Sequence, residues 1–352
     1  MKTSIFDYPL PHELIAQDPL PERDASRLMV LDRATESISH HVFRELPVFL
    51  RPGDCLAVNT TRVLPARLHG KKEPTGGAVE LLLLENVPPA SDPGGAPSRT
   101  TRWKAMTRGA SLRPGGKVSF ADGRLTAVVI EGPEAGMVTV ELSAPGGDVP
   151  GALDACGEVP LPPYITHDLQ DTERYQTVYA ERELSSAAPT AGLHFTAPLL
   201  REIAGRGVAL AHLELAVGMD TFVPVREEDV ADHRMHTEWF SLDDDCARAV
   251  NRSKARGGRT VAVGTTSVRA LETCAAADGR ISARQGCTDL FITPGYDFRA
   301  VDALITNFHF PRSTLLMLVC AFAGTEFVLE AYRQAASERY RFYSFGDAML
   351  VL

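Results

Sequence analysis

From about Arg62 to Gly151, apolar and polar positions alternate in short runs, clearest at Ala78–Leu84, Lys117–Phe120, Leu125–Ile130 and Met137–Leu142. Turn pairs at Gly115-Gly116, Asp122-Gly123 and Gly132-Pro133 separate them, and strands at this spacing predict a small antiparallel barrel. The stretch 91–99, SDPGGAPSR, reads as a solvated loop between strands.

Beyond about residue 152 the period lengthens. Thr196 is placed to cap a helix through Leu199, Leu200 and Ile203 that stops near Gly205–Gly207, and Val208–Leu213 then reads as a strand. Helix Asp243–Ala255 leads through Gly257-Gly258 into strand Thr260–Val263, and a turn at Gly264 opens the next helix. Strand Val301–Ile305, a loop and helix Leu315–Ala323 repeat the arrangement. Such alternation predicts helices packed on a mixed or largely parallel sheet. Strand-like segments Arg27–Leu31 and Cys55–Val58 join this larger domain. The expected architecture is therefore α/β, a discontinuous domain over 1–61 and 152–352 interrupted by a β-barrel domain over 62–151. A chain of 352 residues is long for a single core, which suits two domains.

Six cysteines lie scattered with no CxxC pair, which favours a reducing compartment over a disulfide framework or a zinc site. The N-terminal MKTSIFDYPLPHEL carries prolines and acids where a signal peptide needs an apolar stretch. The longest apolar run, Leu315–Ala323, is too short to span a bilayer. The sequence thus reads as a cytoplasmic protein without a membrane, and a monomer is expected. Net charge is −9, which argues against indiscriminate coating of nucleic acid. Yet residues 62–124 hold eleven Lys or Arg against five Asp or Glu, so the remainder carries −15. A basic module in an acidic protein suits a local polyanion contact beside a site for a cation; uneven surface charge is the plainer alternative.

Three segments follow strand ends: Pro189-Thr-Ala-Gly-Leu-His-Phe195, Gly264-Thr-Thr-Ser-Val-Arg-Ala-Leu-Glu272 and Thr306-Asn-Phe-His-Phe-Pro-Arg-Ser-Thr314. Open α/β sheets bind ligands at such ends. Thr265, Thr266 and Ser267 open a helix whose N–H groups suit a carboxylate or phosphate, although hydroxyl residues also start helices merely as caps. Gly192 either serves the site or supplies an unusual backbone angle in a tight connection. His233 and His236 have metal-ligand spacing beside Glu238, but no third ligand has diagnostic spacing, so hydrogen bonding or acid–base work is favoured over metal.

These segments occur in one order with further blocks: Leu14-Ile-Ala16, Pro19, Arg23, Ser26-Arg27-Leu28, Asn59-Thr-Thr-Arg-Val-Leu-Pro-Ala-Arg67, Pro160-Leu-Pro-Pro-Tyr-Ile165, Tyr175-Gln-Thr-Val-Tyr179 and Tyr340-Arg-Phe-Tyr-Ser-Phe-Gly-Asp-Ala-Met349. Over nearly its whole length the chain resembles the S-adenosylmethionine:tRNA ribosyltransferase-isomerases of queuosine synthesis. The resemblance implies an α/β domain interrupted by a β-barrel, and transfer with isomerisation of the ribosyl part of S-adenosylmethionine. The resemblance further implies 7-aminomethyl-7-deazaguanine at the tRNA wobble position as acceptor, epoxyqueuosine as product, and adenine and methionine as leaving groups. S-adenosylmethionine is a co-substrate, and no metal or other cofactor is implied. His194, His233, His236, Glu238 and His309 are then the acid–base candidates, with Thr190, Gly192, Thr265, Thr266, Ser267, Arg269 and Asn307 expected to bind substrate. The anticodon loop would meet Arg62, Arg67, Lys71, Lys72, Arg102, Lys104 and Arg108, with Trp103 either a stacking platform or barrel core.

One stretch departs from the family. Where it commonly reads Leu-His-Val-Gly, a small residue, then Gly-Thr-Phe, this chain has Leu215-Ala-Val-Gly-Met-Asp-Thr-Phe222. Ala216 removes a proton carrier and Asp220 adds a carboxylate. Either that histidine is dispensable, or Asp220 takes over, or the acceptor differs. A same-scaffold enzyme acting on a free nucleoside or small amine is the alternative; a non-catalytic RNA-binding protein is a third.

Overall fold

The computed structural model describes residues 1–87, 100–134, 136–218, 221 and 223–352. The loop expected at 91–99 and the candidate Asp220 lie outside these residues. The chain divides into two compact units, one of Met1–Arg62 with Pro162–Leu352 and one of Val63–Leu161.

The larger unit is built on a mixed nine-stranded sheet. Its middle is parallel: Ala209–Leu215, Cys55–Asn59, Thr260–Val263 and Ala303–Asn307 lie side by side in that order. The C-terminal strand Ala348–Val351 runs antiparallel to Ala303–Asn307 and parallel to Arg27–Asp32, which closes that side as a hairpin with Ser37–Val42. On the other side Glu238–Leu242 and Arg284–Thr288 add antiparallel strands. Strands Cys55–Asn59, Thr260–Val263 and Ala303–Asn307 are buried along their whole length, as expected of parallel strands covered on both faces. One core cluster packs around Phe240, Leu271, Leu316 and Tyr332, the other around Phe43, Phe195, Ile203 and Ile305.

Side chains cap three of the helix starts. Thr196 accepts from Leu199 N at 3.3 Å, Asp243 from Cys246 N at 2.8 Å and Ser313 from Leu316 N at 3.1 Å. The apolar run expected to end at Ala323 is helix Thr314–Ala323, and beyond Gly324 a second helix, Thr325–Ser337, follows. Among the described residues no single helix is long and apolar enough to cross a membrane.

The inserted unit is a closed six-stranded antiparallel barrel. Alternation places Leu68, Val79, Leu81, Val118, Phe120, Ala127 and Val140 inside. Trp103 joins them at 7 % exposure, its indole N–H donating to Thr101 Oγ1 at 3.0 Å. It is core, and the stacking platform is withdrawn. The unit runs past the expected boundary at 151, because helix Val149–Cys156 and Glu158 belong to it. Asp148 caps that helix, and Glu158 exchanges backbone hydrogen bonds of 2.9 and 3.0 Å with Arg67.

Candidate active site

Strand Thr260–Val263 ends at Gly264, whose φ of 86° is reached without strain only by glycine. Helix Thr265–Cys274 starts there with no side chain capping its first turn. Ser267 cannot serve as a cap, because its hydroxyl donates to Val263 O at 2.7 Å. The first-turn N–H groups have no intrahelical acceptors and carry the positive end of the helix dipole. Thr266 is 7 % exposed and its Oγ1 is buried without a partner.

The neighbouring strand ends at Asn307. Its amide Nδ2 donates both to His194 Nε2 at 3.2 Å and to Tyr343 O at 3.0 Å. Two acceptors on one side fix the amide orientation, so Oδ1 faces the other way, buried and unpartnered. His194 in turn has Nδ1 2.8 Å from Ser26 Oγ. Nε2 accepts from Asn307, so Nδ1 carries the proton and donates to Ser26. Burial, with Arg341 and Arg23 nearby, pushes the His194 pKa down to about 3, so the ring is neutral. His309 is also held neutral, its pKa pushed down to about 3 by burial. Its Nε2 lies 2.7 Å from Thr306 Oγ1, and its backbone N–H donates to Tyr332 Oη at 3.0 Å.

The three loops meet. Thr190, Thr265, Thr266, Asn307 and His309 line one cavity of about 30 Å³. That space takes about two waters, or the charged end of a larger ligand. Its unpaired atoms are an acceptor, Asn307 Oδ1, and a hydroxyl, Thr266 Oγ1, beside free helix N–H donors. Such a set suits a zwitterion carrying both carboxylate and ammonium. Gly192 supports the Thr190–His194 turn by lacking a side chain, not by an unusual backbone angle. A Cβ there would lie 2.2 Å from Tyr179 Oη and 2.7 Å from Thr177 Cγ2. Gly192→Ala is expected to lower stability by about 1–3 kcal/mol, read as a fall in the denaturant midpoint.

Other expected residues lie elsewhere. Arg269 turns away from the helix start into a buried ion pair with Glu238, and donates to Leu290 O at 3.0 Å and Thr288 O at 3.2 Å. Glu238 accepts from Gly218 N at 3.0 Å and Thr221 Oγ1 at 3.3 Å, and His236 Nε2 stands 3.2 Å from it, within ion-pair range but off the hydrogen-bond direction. Burial raises the Glu238 pKa, but His236, Arg269 and the Gly218 amide outweigh it, and the carboxyl is held ionised. This cluster holds the Gly218 amide and the Thr221 hydroxyl, and Thr221 lines the cavity. His233 is outside the cavity, paired with Glu227 at 3.1 Å. Among the described residues no group of three His, Cys, Asp or Glu is placed to hold a metal.

The expected RNA-contacting cations are mostly engaged. Arg62, in the larger unit, pairs with Glu173 and Glu183. On the barrel, Arg67 lies 3.5 Å from Glu80, Arg102 3.0 Å from Glu141 and Lys104 2.7 Å from Glu85, and Lys72 donates to Ser111 O at 2.6 Å. Lys71 and Arg108 line a barrel groove of about 720 Å³ with Lys72. That groove is the larger concavity, but Glu73, Glu80 and Asp122 interleave with its cations, and none of its described lining side chains has an unpartnered buried polar atom. The smaller cavity is the better candidate for chemistry.

Sequence reasoning missed two features. Glu272, buried, accepts from Arg299, Ala300 and Val301 N–H, each at 3.0 Å, and so sets the entry into strand Ala303–Asn307. Arg23, Arg174 and Arg341 gather on the Ser26 side of His194. In the sequence Pro19, Arg23, Ser26-Arg27-Leu28 and the block Tyr340–Met349 carry the resemblance in that region, but nothing there marks a shared arginine cluster or Arg174.

A family model described as queuosine biosynthesis protein matches residues 3–351. The S-adenosylmethionine:tRNA ribosyltransferase-isomerase of Symbiobacterium thermophilum is 51 % identical over 353 residues, covering 100 % of both chains. That of Acetivibrio thermocellus is 49 % identical, also over 100 % of both. A crystal structure of the S-adenosylmethionine tRNA ribosyltransferase from Thermotoga maritima, 38 % identical, covers 99 % of this chain and 100 % of its own with a TM-score of 0.55. With a match this long in sequence and in fold, the chain belongs to the queuosine biosynthesis protein family.

Proposed function

We propose that this chain is an S-adenosylmethionine:tRNA ribosyltransferase-isomerase. It moves the ribosyl group of S-adenosylmethionine onto the amine of 7-aminomethyl-7-deazaguanine at the tRNA wobble position, giving epoxyqueuosine and releasing adenine and methionine. The names of full-length relatives support donor and acceptor. One observation carries the site reading: Asn307 Oδ1 and Thr266 Oγ1, both buried and unpaired, face one cavity at an uncapped helix start.

In this reading the methionine carboxylate accepts from the first-turn N–H groups of Thr265–Ser267, and its ammonium donates to Asn307 Oδ1. The sulfonium acidifies the adjacent 5′ carbon, so a neutral proton acceptor beside it starts the rearrangement. His309 is the one titratable side chain among the described cavity-lining residues. Burial pushes its pKa down to about 3, so by itself it is a weak base. In this reading it takes the proton only with the substrate carboxylate beside it, an anion that raises its basicity. His194 positions Asn307. No metal or other cofactor takes part, and a cytoplasmic monomer is proposed.

Incubation with S-adenosylmethionine and tRNA carrying the aminomethyl base should release adenine and methionine and add the epoxycyclopentane mass to one nucleoside. No release by folded protein on correctly modified tRNA would overturn the proposal. Ala216 favours a second reading, with a free nucleoside or small amine as acceptor; turnover without tRNA distinguishes it. Asn307→Ala should raise the KM for S-adenosylmethionine about 10- to 100-fold, because a hydrogen bond to a charged group is lost.

A further inference from the structure

His194 stands between two small cavities. Its Nε2 meets Asn307, which lines the cavity described above, and its Nδ1 meets Ser26, which lines another of about 20 Å³. The second cavity is walled by Arg23, Arg174, Arg341, Ser344 and His194 as well as Ser26, and its described lining includes no carboxylate.

Arg23 donates to Leu193 O at 3.2 Å and Glu173 O at 2.7 Å. Arg174 donates to Pro21 O at 3.2 Å and Leu20 O at 2.6 Å, leaving Nε buried and unpartnered. Carbonyls fix these guanidinium groups without neutralising them. Among the described residues neither has a carboxylate oxygen within 4.0 Å, the ion-pair range, whereas Arg341 pairs with Asp347 at 3.0 Å. Burial first, and then the neighbouring Arg174 charge, depress the Arg23 pKa, with Asp171 and Glu173 opposing them from beyond ion-pair range. Holding two cations without a carboxylate in ion-pair range at a partly buried wall costs free energy, which a bound anion offsets.

We propose that Arg23, Arg174 and Arg341 seat one backbone phosphodiester of the RNA substrate beside His194. This rests on the reading of tRNA as acceptor. The space takes about one water-sized group, which fits an anionic oxygen and excludes a base or an adenosyl group. Guanidinium forks match phosphate oxygens in geometry. A phosphate here holds the acceptor strand in register while contributing no sequence preference of its own.

The test uses the full chain and modified tRNA, with binding measured at several salt concentrations and S-adenosylmethionine binding measured by calorimetry. Arg174→Gln should weaken tRNA binding about tenfold and reduce the slope of log affinity against log salt by about one. Arg174→Lys should keep the slope, since the charge remains. Arg23→Gln repeats the test at the neighbouring cation, and unfolding midpoints establish that each variant is folded. Affinity for S-adenosylmethionine should stay within about twofold, as expected for a contact confined to the RNA backbone. Loss of S-adenosylmethionine binding with an unchanged tRNA slope makes this a carboxylate site and overturns the proposal, as does an unchanged slope in both glutamine variants. If the wild type binds tRNA with this arginine-dependent slope but releases no adenine, the enzymatic reading fails and the phosphate site stands. If it releases adenine and the slope is unmoved, the reverse holds.

Discussion

Glu238→Gln is expected to destabilise the larger unit by about 3–5 kcal/mol, because it strands the buried Arg269 charge. Arg269 and Glu238 are 4 % and 3 % exposed, so solvent offers the guanidinium little compensation. The remaining Arg269 partners are two backbone carbonyls, which solvate the charge without balancing it. The measurement is denaturant unfolding in a Trp103→Phe background, where Trp239, on the same strand as Glu238, is the one remaining tryptophan. A loss below about 1 kcal/mol would mean that the pair is not desolvated as described. Glu238→Gln combined with Arg269→Met should recover much of the loss, since apolar replacement of both partners removes the stranded charge. The single variant should also lower activity, by freeing the Gly218 and Thr221 contacts that shape the cavity wall.

The second large effect is acid sensitivity. His194 and His309 have folded pKa values depressed to about 3, against 6.5 for the free side chain. Below 6.5 the unfolded chain takes up protons that the native imidazoles refuse, so stability falls as pH falls. The contribution is fully present above 6.5 and is lost progressively toward pH 3. Each imidazole changes stability by about 1.4 kcal/mol per pH unit within that window, so pH 5 costs about 4 kcal/mol for the pair. Between pH 6.5 and 5 most carboxylates remain ionised, which isolates the histidine contribution. His309→Gln should halve the slope of stability against pH there; an unchanged slope would show that His309 does not resist protonation in the native state.

The barrel was legible where alternation and turn pairs coincide, as at Lys117–Phe120 and Leu125–Glu134. Strands Arg67–Glu73 and Thr100–Gly109 escaped because their outward positions carry Lys, Arg and His, which blur the apolar alternation. Ser37–Val42 is polar, and Ala348–Val351 is only four residues long, so neither announces a strand. The meeting of the three loops followed from glycine and hydroxyl residues at strand ends. Side-chain direction did not. Arg269 belongs to Glu238 because of how one helix packs on a strand 31 residues earlier in sequence. The arginine wall draws on residues at 23, 174 and 341, which only the folded topology brings together. Local sequence holds no record of pairings at that range.

The position of strand Ala348–Val351 bears on how the sheet closes. Among the described residues it is the one strand that joins Ala303–Asn307 to the hairpin of Arg27–Asp32 and Ser37–Val42. Its partner Arg27–Asp32 lies far from it in sequence, so this pairing carries a large loop-closure cost. While it is open the hairpin is detached from the central strands, and Ser26 next to it cannot orient the His194 ring through the native pairing. Opening of this one strand is therefore enough to disconnect the hairpin side of the site.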